Sequence, residues 1–200
     1  MEERLRLRLR LRKNVIMNRK EAIELLHQYI KNENLLKHCY ASEAVMKALA
    51  EKLDQDADKW AMAGLLHDLD VEMVNADPKI HGLETAKILK DKGVDPEIID
   101  AIRMHNEEAH GETRSTLFHH ALAAGETITG LIIATSLIYP DKKIHSVKPK
   151  SITKRMKQKA FAASVSRETI MECEKLDIPL PDFAVICLDA MKGIHEQLGL

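Results

Sequence analysis

The stretch LFHHALAAGETITGLIIATSLIY, Leu117 to Tyr139, decides the fold class. Ser115 or Thr116 stands before it as a helix cap, Pro140 closes it, and its residues are apolar nearly all round. A helix without a wet face has to be enclosed by other elements, so this one is read as the centre of a core.

Reading outward in both directions, the neighbours are helical as well. Asn18 followed by Glu21 has the capping-box arrangement, which predicts a helix to about Ile30. From about Leu35 to Leu53, Val45, Ala48, Leu49 and Leu53 recur at three- and four-residue spacings, and His38 lies near the start. Asp56 or Asp58 begins a helix that runs through AMAGLL into HDLD, His67 to Asp70. Asp77-Pro78 and Asp95-Pro96 each pair a capping carboxylate with the helix position that tolerates proline, so each is read as a helix start. Gly93 ends the first of these, and the second carries Ile98, Ile99, Ile102 and His105. Beyond the central helix, Ser151, Ser166 and Pro181 mark three further starts, the last running to about Leu198. The expectation is an all-α, single-domain bundle of about eight helices over residues 18–200.

At 200 residues the chain suits one domain with a full core. No uninterrupted apolar run approaches the roughly 18 residues of a spanning helix, since Leu131–Ile138 is short and broken by Thr and Ser, so no membrane association is expected. Cys39, Cys173 and Cys187 are odd in number and far apart, which argues against a disulfide framework and for a reducing cytoplasm. The net charge of −1 predicts no general attraction to nucleic acid. It conceals LRLRLRLR at Leu5–Arg12, an alternating basic stretch within residues 1–17. That arm is read as lying outside the fold, as an extension with Met17 as the natural start, or as a basic partner-binding tail. Without aromatic residues it lacks the stacking surface of an RNA binder.

The chemistry gathers on histidine and aspartate. His67 and Asp68 end an apolar helix, where burying ionisable groups without a partner is costly. A metal ion would supply that partner. His38, the His67-Asp68 pair, His81 and His105 sit near helix ends or on apolar helix faces of four predicted helices, and imidazole with carboxylate suits several divalent first-row ions. His110, His119 and His120, in and after the polar HNEEAHGETR loop, read as surface histidines. No GxxxxGK, GxGxxG or GxSxG motif is present, which argues against nucleotide-driven motor, dinucleotide and serine-elbow chemistry.

The order His38, His67-Asp68, His81 in HGLETAKIL and His105 in AIRMHN resembles the ligand pattern of the HD superfamily of metal-dependent phosphohydrolases. The resemblance runs from about Asn18 to Leu200 and includes HDLDxE and TGLIIA. It implies that the first His, the HD pair and a distal Asp hold one divalent ion. His81 and His105 would add a second, bridged by Asp68. Iron, manganese, nickel, zinc and magnesium are not distinguished. Where related sequences read approximately AADELTGLI, this chain has Ala123 to Ile132, so the distal Asp is read as replaced by Gly125. Glu126 is next to it but projects about 100° away on the helix.

Two functions follow from the resemblance. One is hydrolysis of a nucleotide or small phosphate ester, with Asp68 catalytic and Asp70 as an orienting group or proton acceptor. Lys148–Lys159 carries six cations and no acid, so Lys154 and Lys157, with Arg103, are candidate phosphate contacts. The other is a non-catalytic metal- or ligand-binding domain, motivated by Gly125. A small phosphorylated substrate and a homodimer are the expected partners.

Overall fold

The computed structural model describes residues 17–200, so the basic arm lies outside the described residues apart from Met17. Asn18 caps α1 (Arg19–Tyr29) by the expected reciprocal pair: Glu21 N donates to Asn18 Oδ1 at 3.1 Å, and Asn18 N donates to Glu21 Oε2 at 2.8 Å. Asn32 caps α2 (Glu33–Lys52), and Asp56 caps α3 (Ala57–Leu66). These two helices pack closely because Gly64 has no side chain. A Cβ there would lie 2.4 Å from the Ser42 carbonyl oxygen.

From His67 to Gly82 the chain runs through successive turns. Asp77-Pro78 does not open a helix: the N–H groups of Ile80 and His81 both return to the Asp77 carbonyl, closing a turn instead. Gly82, at φ +90°, reverses the chain into α4 (Leu83–Asp91). Asp95 and Pro96 begin α5 (Pro96–Met104) as expected. Thr116 caps α6 (Leu117–Leu137). Then follow α7 (Pro149–Met156), α8 (Arg167–Ile170), α9 (Leu180–Lys192) and α10 (His195–Leu198). Three short 3-10 turns occupy Glu107–Ala109, Ile144–Ser146 and Met171–Leu176.

Among the described residues there are ten α-helices and no strand, against about eight expected; α8 and α10 are four-residue pieces. The predicted start at Ser151 falls at Pro149, whose fixed φ suits the first helical position. The last helix stops at Lys192 and resumes at His195, because Ile194, at φ −119° and ψ 22°, leaves the helical conformation.

The core lies around α6, which contacts α2, α3, α5, α7, α8 and α9. It is the one described helix long and apolar enough, by length and composition, to cross a membrane, and 56% of its most apolar stretch is buried inside the protein. The helix thus has ample internal surface to cover. Leu65, Leu66 and Leu69 flank the HD pair and are fully buried. At roughly 1.5–3 kcal/mol for each buried side chain of this size, the local backbone is firmly held.

Candidate metal centre

His67 is the C-cap of α3 and His105 the C-cap of α5. His38 projects from the second turn of α2, and His81 precedes Gly82 in the turn before α4. Asp68 stands between them. Its Oδ1 is 3.3 Å from His67 Nε2, 3.1 Å from His81 Nε2 and 3.7 Å from His105 Nε2, while Oδ2 is 3.5 Å from His38 Nε2. The five residues picked from the sequence thus meet at one point.

The hydrogen bonds on the far side of each ring determine what the near side offers. His67 Nδ1 contacts the Gly64 carbonyl at 2.9 Å, and His105 Nδ1 the Ile102 carbonyl at 2.5 Å. Carbonyl oxygens only accept, so both Nδ1 atoms carry hydrogen and both neutral rings present a lone pair at Nε2. His81 Nδ1 donates to Asp70 Oδ1 at 2.7 Å. Thr129 gives its one hydroxyl hydrogen to the Glu126 carbonyl at 2.7 Å, so it accepts from His38 Nδ1 at 2.9 Å. All four imidazoles thereby keep a hydrogen on the outer Nδ1 and turn Nε2 inward.

Inside the centre, Nε2 of His38 and His67 are 3.1 Å apart, and Nε2 of His81 and His105 are 3.0 Å apart. In the first pair two neutral rings with these tautomers face each other lone pair to lone pair; in the second, the extra proton of His81 lies between Asp68 and His105 in the metal-free protein and takes the place of a cation. Imidazole nitrogens and a carboxylate converging in this way fit a divalent ion. Two groups of three can each hold one: His38 with His67 and Glu126, and Asp68 with His81 and His105.

The charges respond to burial and to each other. Burial lowers His67 to about 4, and burial with neighbouring His81 lowers His105 to about 3. His81 goes the other way: burial opposes its charge, yet hydrogen bonds to Asp68 and Asp70 raise it to about 10. For Asp68, burial favours the acid but the surrounding imidazoles hold it well below the usual carboxylate range. Burial, helped by Asp68, raises Glu126 to about 8.

Gly125 is not at the centre. A Cβ on it would meet Val45, Met46 and Leu49 at 3.2–3.3 Å, in the core between α6 and α2. Glu126, one position on, turns toward the site, with Oε2 3.6 Å from His38 Nε2. Counting back from Thr129-Gly130-Leu131-Ile132, the Asp of AADELTGLI falls on Glu126 and not on Gly125. The ligand position is therefore filled by a carboxylate one methylene longer, and the reason for suspecting a defective site disappears.

Asp70 is fully buried and wholly engaged, accepting from His81 Nδ1 and from the N–H groups of Gly82 and Thr85. It orients His81, and both of its oxygens are already occupied by protein donors. Glu72 accepts from the N–H groups of Lys31 and Asn32 and so ties the HD turn to the start of α2. Arg103 is held by Glu112 and Asp100. Lys154 and Lys157 are exposed on and just after α7, which joins the Tyr139 end of α6 through Ser151. His119, expected at the surface, is 6% exposed and bonded to Asp100, because α5 covers that face of α6. His110 and His120 are also tied inward, to Arg103 O and to Glu172.

The sequence gives little sign of Thr129, Gly64 or Ile102, because two of the three act through main-chain oxygen. A hollow of about 770 Å³, lined by residues including Tyr40, Lys47, Met62, Leu65 and Ile98, borders α2 and α3 but includes none of the centre's residues. A family model for the HD domain matches residues 35–156, a segment that contains the five sequence-selected residues and Glu126. No solved structure matches the chain significantly.

Proposed function

Because the chain belongs to the HD domain family, we propose that it is a metal-dependent phosphohydrolase acting on a nucleotide or small phosphate ester. The observation that carries this reading is the set of four imidazoles whose Nε2 atoms converge on Asp68. Divalent ions held there would polarise a phosphoryl oxygen and lower the pKa of a water, the chemistry of phosphate-ester hydrolysis.

The chain's own residues divide the work. His38, His67 and Glu126 form one ligand group, and His81, His105 and Asp68 the other. The Asp68 carboxylate faces both imidazole pairs and would serve both ions. Asp70 keeps His81 in the ligand tautomer. Lys154 and Lys157 supply exposed cations that attract the anionic substrate toward the protein; Arg103, occupied by two carboxylates, does not. A cytoplasmic location and a homodimeric state complete the proposal.

The test is direct. Purified full-length protein is analysed for bound metal, stripped, and assayed with nucleotides and small phosphate esters in the presence of manganese, nickel, cobalt or magnesium. Metal-dependent release of phosphate, abolished in His67→Ala, is expected. Stoichiometric metal retained by His67→Ala would overturn the ligand assignment. Metal uptake without turnover of any ester would leave a binding domain instead of an enzyme.

A further inference from the structure

Arg114 lies in the loop before α6, yet its side chain is only 8% exposed. Its Nη1 donates to the carbonyls of Met104 and His105 at 3.2 and 3.1 Å, and so grips the backbone of a centre residue at the end of α5. Its Nε and Nη2 donate to Glu172, the shortest contact being 2.6 Å, and Nη2 also faces Glu107 at 3.4 Å. Glu172 also accepts from His120 Nδ1 at 2.7 Å. A guanidinium with so little exposure needs a fixed counter-charge, and Glu172 is the closer of the two carboxylates.

The next residue of the α5 terminus extends the same bracing. Asn106 Nδ2 donates to the carbonyls of Pro78 at 2.7 Å and His81 at 3.0 Å. The main chain at His81 is therefore held by Asn106 and that at His105 by Arg114, both from outside the centre. Glu172 belongs to the Met171–Leu176 turn, beyond the segment that matches the HD domain.

Resting on the reading of the centre as a metal site, we propose that Glu172 and Arg114 are positioning residues for its Asp68/His81/His105 half. The C-terminal segment is then a working part of the centre. It places the His105 ring by holding the carbonyl oxygens at the end of α5, without touching the ion or the substrate.

The experiment uses the full chain, stripped of metal and titrated with manganese by calorimetry, with the bound ions counted. Two variants separate positioning from folding: Arg114→Met removes the grip, and Glu172→Gln keeps the shape of the acceptor but removes its charge. Both should weaken one of two binding events about tenfold to hundredfold, the usual cost of losing an outer partner of a ligand, with circular dichroism unchanged. The other event should stay within about twofold of the parent. Unchanged titrations in both variants overturn the inference, as does equal weakening of both events, which would signal general loosening. If the parent protein takes up no ion, the proposed function itself falls, an outcome distinct from a parent that binds and variants that bind equally well.

Discussion

Asp70 receives the His81 Nδ1 hydrogen at 2.7 Å on one oxygen, while its other oxygen takes the N–H groups of Gly82 and Thr85. One buried carboxylate thus orients an imidazole and caps the start of α4. Asp70→Asn keeps the shape but turns an NH2 group toward at least one of those donors. Metal affinity should fall about 10- to 100-fold. Folding stability should fall by about 1–3 kcal/mol from the unsatisfied donors. Calorimetric metal titration and urea unfolding measure the two, and an unaltered affinity would deny Asp70 its orienting role.

Neighbouring positions on α6 should respond in opposite ways. Glu126→Gln removes a carboxylate from the His38/His67 group and should weaken one ion by tenfold or more. Glu126→Asp should retain binding. Gly125→Asp should gain no ion, because its carboxylate would enter the apolar contact with Val45, Met46 and Leu49, costing at least about 3 kcal/mol. Should Gly125→Asp bind metal better than the parent, the assignment of Glu126 would fall.

Metal uptake should release protons at neutral pH. Burial and Asp68 raise Glu126 to about 8, and against its burial the bonds to Asp68 and Asp70 raise His81 to about 10, so both hold a proton at pH 7 in the metal-free protein. An ion has to displace them. His67 and His105, lowered to about 4 and about 3 by burial, are already neutral and release none. About two protons should leave per loaded centre at pH 7, with affinity rising between pH 6 and 8. Titrations in buffers of different ionisation enthalpy count them directly.

The same groups set the acid stability of the metal-free protein. His67 and His105 have folded values below their ordinary 6.5, so the unfolded chain binds more protons as the pH falls through that value. Their contribution is complete above about pH 6.5 and disappears as the pH falls toward 4 and then 3. Glu126 has the opposite sign: raised from 4.5 to about 8, it favours the folded state at the acid end and loses that contribution as pH rises through 8. Melting temperatures of metal-free protein between pH 7 and 4 should therefore fall more steeply in Glu126→Gln than in the parent.

Helices declared themselves wherever a cap and an apolar period agreed, as at Asn18 with Glu21 and at Asp95 with Pro96. They misled at Asp77-Pro78, where the same two residue types close a turn because His81 and Gly82 bend the chain before another helical bond can form. The centre was legible for a related reason. Imidazole and carboxylate are rare at the ends of apolar helices, so His67, Asp68 and His105 stand out. Glu126 was harder to place, because a one-residue slip on α6 turns a core contact into a site residue. The tautomers were out of reach altogether, since the Gly64 and Ile102 carbonyls that set two of them belong to no particular side chain.

The approach of α2 to α3 gives a test of the scaffold alone. Gly64→Ala would place a methyl carbon 2.4 Å from the Ser42 carbonyl oxygen, and neither backbone can yield cheaply. The loss should be about 3 kcal/mol or more. Because the Gly64 carbonyl also receives the His67 Nδ1 hydrogen, metal binding should weaken at the same time. Thermal melting with and without manganese would reveal both effects, and a fully stable variant would contradict the packing described.

His67 and His105 each stand at the final turn of a helix, and each donates from its outer nitrogen to a last-turn carbonyl, that of Gly64 or Ile102. Two macrodipoles therefore point their negative ends at the same spot, each favouring a cation by on the order of 0.3–1 kcal/mol. The opposing positive end, at the start of α4, is neutralised by the Asp70 carboxylate. The peptide backbone thus already attracts positive charge to this place, and the imidazoles select which ion stays.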